Sequence, residues 1–180
     1  MLLVAEPEIL PVVEAQRGDP DAWRALFARF RLPLFAFVRE LAGDDASALD
    51  IVQETFVNAS RHIGQLRAAD KFAAWLFGIA RQKCAQRWRK KDFLADAAPL
   101  PDELAEADES PVDLLIARED EASFAAALAQ VPLLQREALV LHFLEEFSLA
   151  EIAEITSVRV GTVKSRIHYG KQMLKQLMHS

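Results

Sequence analysis

The sequence predicts an all-α chain made of two small helical domains joined by an acidic linker, and three observations carry that prediction. Glycines number only six in 180 residues, and Ala and Leu are abundant, which favours helix. Apolar residues recur at steps of three and four along most of the chain, the period of a helix face. The charge also comes in blocks: basic over 81–91, acidic over 92–121 and basic again over 156–180, in a chain of net charge −6. These blocks divide the chain into an N-terminal arm (1–17), a helical domain (18–92), a linker (93–122) and a second helical domain (123–180).

Residues 1–11 hold Pro7 and Pro11 and read as a loose arm, with Pro11 opening a short helix that runs to Arg17 and stops at Gly18. Asp19 then caps a new helix with Pro20 as its first residue. Trp23, Leu26, Phe27 and Phe30 form its apolar stripe. Pro33 is expected to kink or split the helix, and Leu34, Phe37, Val38 and Leu41 continue the core. The next helix, over about 46–63, shows two faces. Leu49, Val52, Phe56 and Ile63 are the expected core stripe, while Asp50, Gln53, Glu54, Val57 and Arg61 share another sector. That sector suits a partner surface with an apolar centre and a polar rim; a solvated charged face has the same composition.

Over 71–91 the chain reads KFAAWLFGIARQKCAQRWRKK. Trp75, Gln82, Gln86 and Arg89 fall on one helical stripe, and Phe77, Cys84 and Trp88 fall on another suited to a core. Amide, guanidinium and aromatic groups on one face can stack on and hydrogen-bond unpaired bases; a basic helix with all its aromatics in the core is the plainer alternative. Residues 92–121 carry eleven Asp/Glu against one Arg, and the linker they make up enters a helix near Val112. Phe124, Leu128, Val131, Leu134, Ala138, Leu141 and Leu144 then form a second core, divided by Val131-Pro132.

The last segment is SLAEIAEITSVRVGTVKSRIHYGKQMLKQL, over 148–177. Ser148 with Glu151 is a capping box. A break at 156–159 separates the short helix it starts from a longer one beginning near Val160. Val160, Val163, Ile167, Gly170, Leu174 and Leu177 share one face of the longer helix, and Thr162, Ser165, Arg166 and Tyr169 the other. Two short helices at a tight turn, the second carrying its basic residues outward, make a helix-turn-helix.

Composition excludes several classes. The apolar fraction of 52% is too high for a disordered chain. No apolar run is long enough for a membrane span, and the first ten residues lack a signal peptide's basic start. The lone Cys84 allows neither an internal disulfide nor a multi-cysteine zinc site, and the four histidines lack ligand spacing. No nucleophile–base pair or phosphate loop is evident. The chain is therefore expected to be a cytoplasmic non-enzyme with no metal, cofactor, small-molecule substrate or membrane insertion.

The segment from EIAEI through GTVKSRI resembles the C-terminal DNA-binding domain of sigma-70-family transcription initiation factors, and the small extracytoplasmic-function (ECF) group fits best. DIVQETFV resembles the family segment that docks on the clamp coiled coil of RNA polymerase core. The 71–91 stretch resembles the motif that reads and opens the −10 promoter element: Phe72, Trp75, Leu76, Ile79, Ala80, Arg81 and Arg89 match, while Gln82 replaces Asn and Gln86 replaces Asp. Ser157 stands where the family often has Gly, and Arg159 where it often has Ser.

The resemblance implies core-binding residues Asp50, Gln53, Glu54 and Val57. It implies −10 residues Phe72, Trp75, Arg81, Gln82, Lys83, Gln86 and Arg89, and −35 residues Arg159, Val160, Thr162, Lys164, Ser165 and Arg166. The implied partners are promoter DNA, the clamp coiled coil and flap of polymerase, and an anti-sigma factor. An autonomous helix-turn-helix regulator, with 18–92 as sensor or dimerisation domain, is the alternative.

Overall fold

A computed structural model describes residues 9–90 and 121–179; the first residues of the arm, the acidic linker and the helix expected near Val112 lie outside the described residues. Every regular element described is helical. Helix α1 (Val12–Gln16) follows Pro11, which sits at the N-cap rather than inside the helix. It is already part of the fold. Val12 and Ala15 are buried, and the Gln16 side-chain amide donates to Ile63 O (3.0 Å) and Leu66 O (2.8 Å). Gly18, at φ 89°, turns the chain, a conformation that glycine adopts without a Cβ penalty.

Helix α2 (Pro20–Ala42) starts where Asp19 accepts a hydrogen bond from Asp21 N and ends at Gly43. Pro33 lies inside it and does not split it. Proline removes one intrahelical bond, but Phe30, Leu34, Phe37 and Val38 on either side are all buried, and tertiary packing carries the helix through. Helix α3 (Asp45–His62) is capped by Asp44, which accepts from Ser47 N at 2.7 Å. Its buried stripe is Ala48, Ile51, Val52, Thr55, Phe56 and Ala59, and Leu49, expected in the core, is 59% exposed. The large apolar residues misplace the centre of that stripe. Two alanines and a threonine lie on it, and their small side chains let neighbouring helices approach closely. The Thr55 hydroxyl is satisfied by Ile51 O at 2.7 Å.

Two short 3-10 turns, Ile63–Gln65 and Ala69–Lys71, lead into α4 (Phe72–Lys90). Phe72, Leu76, Phe77, Ala80, Cys84 and Trp88 are its buried row. Phe72 meets Phe30 and Phe77 meets Phe37, and the Trp88 indole donates to Leu41 O at 3.2 Å. Helices α2, α3 and α4 pack pairwise into a bundle.

The second unit comprises α5 (Glu121–Gln130), α6 (Leu133–Leu139) continued by a π turn (Val140–Leu144), α7 (Leu149–Thr156) and α8 (Val160–Met178). Val131-Pro132 divides α5 from α6, as the sequence predicts. The Ser148–Glu151 capping box is complete. Ser157 takes the left-handed conformation at φ 55°, and Val158 N–H reaches back to Ala153 O, closing α7 in the manner of a Schellman turn. Arg159 occupies the N-cap of α8 with no side-chain capping bond. Leu144, expected in the core, is exposed, and so is Val160 at the free first turn of α8. The two units also pack on each other, α4 against α7 and α2 against α6, with the Phe77 and Phe147 rings edge to face at 5.0 Å.

Candidate nucleic-acid interface

The buried row of α4 fixes which way its other stripe faces. With Phe77, Cys84 and Trp88 held in the core, Gln82, Gln86 and Arg89 are exposed and Trp75 is half-buried. Phe72 has no exposed surface and packs against Phe30 and Trp75, so it supports the stripe and does not belong to its surface. Trp75, Gln82 and Arg89 line one wall of a cleft of about 740 Å³; Glu154, Ile155 and Ser157 at the end of α7 line the opposite wall.

Arg81, next to this stripe, faces another partner. Its Nε donates to Glu137 Oε1 of α6 at 2.9 Å, and its guanidinium lies 5.8 Å from the Trp88 ring centroid. Lys83 points the other way, to Glu54 Oε2 of α3 at 3.3 Å, and Arg87 lies 3.6 Å from Asp50. Asp50, Gln53, Glu54 and Val57 are all exposed, as expected. Together with Asn58, Arg61, His62 and Lys83 they line a shallow depression of about 380 Å³. The exposed Leu49 adjoins the same face and adds apolar surface that the sequence reading assigned to the core.

On α8, Val160 is 40% exposed, Arg159 is exposed, and Thr162 and Lys164 are half-buried. Ser165 and Arg166, expected on the outward face, are buried instead. The Ser165 hydroxyl donates to Gly161 O at 3.1 Å. Arg166 turns towards Glu137, its Nη1 3.8 Å from Oε2. The attraction of a buried carboxylate outweighs the pattern of neighbouring polar residues. Along the row one helical turn apart, Lys164 and His168 are half-buried and Gln172 is exposed.

Glu137 is the residue that sequence reasoning missed. It is 0% exposed, and its spacing from Leu133 and Leu141 puts a carboxylate on an apolar stripe, which was the available signal. Burial pushes its pKa up, opposed by Arg81 and then Arg166; burial likewise lowers that of Arg166. The neighbouring Cys84 thiol is raised to about 12, by burial first and by Glu137 second, so it is not activated as a thiolate. Among the described residues no group of His, Cys, Asp or Glu could hold a metal ion, and no helix is long and apolar enough to cross a membrane.

Comparisons with known proteins identify the two helical units. The family model described as Sigma-70 region 2 matches residues 26–93, and that described as Sigma-70, region 4 matches residues 121–174. The chain is 33% identical over 164 residues to the ECF RNA polymerase sigma factor SigL of Mycobacterium tuberculosis, covering 89% of this chain and 91% of that one. It is 29% identical over 174 residues to the ECF RNA polymerase sigma factor SigW of Bacillus subtilis, covering 92% and 93%. The solved structure of CnrH in complex with the cytosolic domain of CnrY shares the fold, with a TM-score of 0.68 at 24% identity, covering 96% of this chain and 97% of that one. The sigma factor RpoE of Bartonella quintana, solved with the anti-sigma factor NepR, shares it with a TM-score of 0.64 at 24% identity, covering 86% and 96%. The region 2 match accounts for the segment that a sensor domain would otherwise have occupied, and the autonomous-regulator reading falls away. The chain belongs to the ECF group of the sigma-70 family: it is a non-enzymatic sigma factor that directs RNA polymerase to promoters.

Proposed function

We propose that this sigma factor divides its work among three helices. On α3, Asp50, Gln53, Glu54 and Val57, with Leu49 beside them, dock on the clamp coiled coil of core polymerase. The pairs Glu54–Lys83 and Asp50–Arg87 border that face, with the carboxylates exposed and the cations half-buried; at 3.3 and 3.6 Å with one partner open to water they are weak pairs, so a partner displaces them at small cost. On α4, Trp75, Gln82, Gln86 and Arg89 read the unpaired −10 strand, with Phe72 fixing Trp75 from beneath; Arg81 and Lys83 are held by Glu137 and Glu54 and add positive charge there once those pairs part. The α4 stripe carries this reading. Its polar groups are exposed because the row behind them is locked in the core, which is the preorganisation that base stacking needs.

On α8, Thr162 meets −35 bases in the major groove, Lys164 meets phosphate, and Arg159 and Val160 lie at the entering end. Arg166 holds the helix in place through Glu137, and Ser165 is sealed against its own backbone. The second unit also meets the polymerase flap. Two structural relatives were solved with CnrY and with NepR, and an anti-sigma partner is proposed here too. Working on polymerase and chromosomal DNA places the protein in the cytoplasm.

The core-docking face is tested by a pull-down titration of the Gln53→Ala/Glu54→Ala double variant with core polymerase. Both side chains are exposed, so the variant folds as the parent does. Its affinity for core is expected to fall about tenfold or more, within the range that central interface residues carry. Unchanged affinity would place the docking face elsewhere.

A further inference from the structure

The three buried side-chain polar atoms without a hydrogen-bond partner among the described residues are Arg136 Nε, Glu137 Oε2 and Arg166 Nη1. All three lie on α6 and α8. A permanent core satisfies its buried polar groups almost completely, so the facing orphans Glu137 Oε2 and Arg166 Nη1, 3.8 Å apart, call for a reason. Glu137 supplies one. Its Oε1 is bound at 2.9 Å to Arg81, which lies in the other unit. Its Oε2 sits 3.8 Å from Arg166 Nη1, which belongs to its own unit. That second distance is an ion pair but too long for a hydrogen bond. One fully buried carboxylate therefore serves two guanidinium groups, and the arrangement satisfies the foreign one first.

We infer that Glu137 is a two-position latch, bound to Arg81 when the two units are closed on each other and released to Arg166 when they part. The inference rests on the reading of α4 and α8 as the −10 and −35 readers. In the closed position Arg81 is withdrawn from the −10 face. The cleft in front of Trp75, Gln82 and Arg89 is walled on its far side by the end of α7. Glu154 of α7 stands on its far wall, where DNA would bring negative charge. Around the latch, α4 packs on α7 and α2 on α6, with the Phe77 and Phe147 rings edge to face and the charges of Arg136 with Glu40 and of Glu145 with Arg29 facing across the seam. Arg136 and Glu145 belong to the second unit, Glu40 and Arg29 to α2.

Parting the units exposes Arg81 to solvent and leaves Glu137 with Arg166 alone. An approach of about 1 Å turns the 3.8 Å pair into a charge-assisted bond and removes two of the three orphans. The bond ties the middle of α8 to α6. Uncovering the −10 reader and steadying the −35 helix are thus coupled through one side chain, and conditions that favour one favour the other.

The experiment uses the full chain without DNA, so its failure is distinct from a failure of the base-reading assignment. Spin labels at exposed sites, introduced by Gln65→Cys and Lys175→Cys, report the distance between the units; the buried Cys84 thiol is spared by the label. Amide hydrogen exchange reports the stability of α8. Arg81→Ala is expected to shift the population towards longer distances by about tenfold or more, with exchange in α8 unchanged or slower. Glu137→Gln is expected to lengthen the distance and to speed exchange in α8, because Arg166 loses its carboxylate. Should Glu137→Gln fail to fold, Arg166→Gln in the Arg81→Ala background tests the same bond from the other end, with faster exchange expected. An unchanged distance in Arg81→Ala overturns the latch. Exchange in α8 that responds to neither Glu137→Gln nor Arg166→Gln overturns the change of partner.

Discussion

Ser157 holds a left-handed backbone, φ 55° and ψ 42°, at the turn of the helix-turn-helix. A residue with a Cβ is strained there and glycine is not. Ser157→Gly is therefore expected to stabilise the protein by about 0.5–1 kcal/mol, read as a higher midpoint in urea with an unchanged slope. A lower midpoint would mean that the exposed serine contributes more than its backbone costs. The turn was legible in the sequence because its cause is local, a break between two periodic segments, and the family resemblance marked Ser157 as standing where glycine is favoured. The Asp19 and Ser148 caps were legible for the same reason. Glu137 and Arg166 were not. Their partners lie on other helices, and no spacing rule within α8 shows that Arg166 would turn inward to a carboxylate on α6.

At the scale of helices, the positions of the elements followed from periodicity, but which face was buried followed only in part. Leu49 was assigned to the core because it is large and apolar; the structure buries Ala48 and Thr55 instead, since close helix approach needs small side chains at the contact. Pro33 shows the converse, with packing on both sides overriding a local breaker. Gly170 repeats the close-packing argument on α8. A Cβ built there would lie 3.0 Å from Leu139 Cδ1, 3.1 Å from Leu139 Cγ and 3.3 Å from Gln135 Cβ, and Leu139 is itself buried. Gly170→Ala gains about 1 kcal/mol in helix propensity but forces an overpacked contact costing about 1–3 kcal/mol. The net expectation is a loss of up to about 2 kcal/mol, measured by chemical denaturation; a gain in stability would show that α6 and α8 can part without cost.

For the whole molecule, the seam between the units makes stability depend on pH in a stated direction. Glu145, after the π turn, has its pKa raised to about 7 by burial, opposed by Arg29. The folded chain therefore holds a proton that the unfolded chain releases at lower pH. That contribution is present below the ordinary carboxyl range and is lost as pH rises through about 7. Glu145→Gln, which removes this titration, is expected to raise the thermal midpoint at pH about 8 and to flatten its slope between mildly acid and mildly alkaline buffer. A variant with the parent's slope would assign the dependence to another group.

Closure of the units was not legible at all, because nothing in a helical period tells which helix of one unit meets which of the other. The central claim is that α4 and α8 read separate promoter elements, and it has one direct measurement. Core polymerase carrying this chain transcribes fragmented genomic DNA of its host, and the start sites are mapped by sequencing the 5′ ends of the transcripts. With the parent chain the starts are expected to share a −10 and a −35 motif. With Gln82→Ala the −10 motif should change or loosen while the −35 motif stays; with Thr162→Ala the −35 motif should change while the −10 motif stays. Identical motifs from the parent and both variants would contradict the assignment of base reading to these two helices.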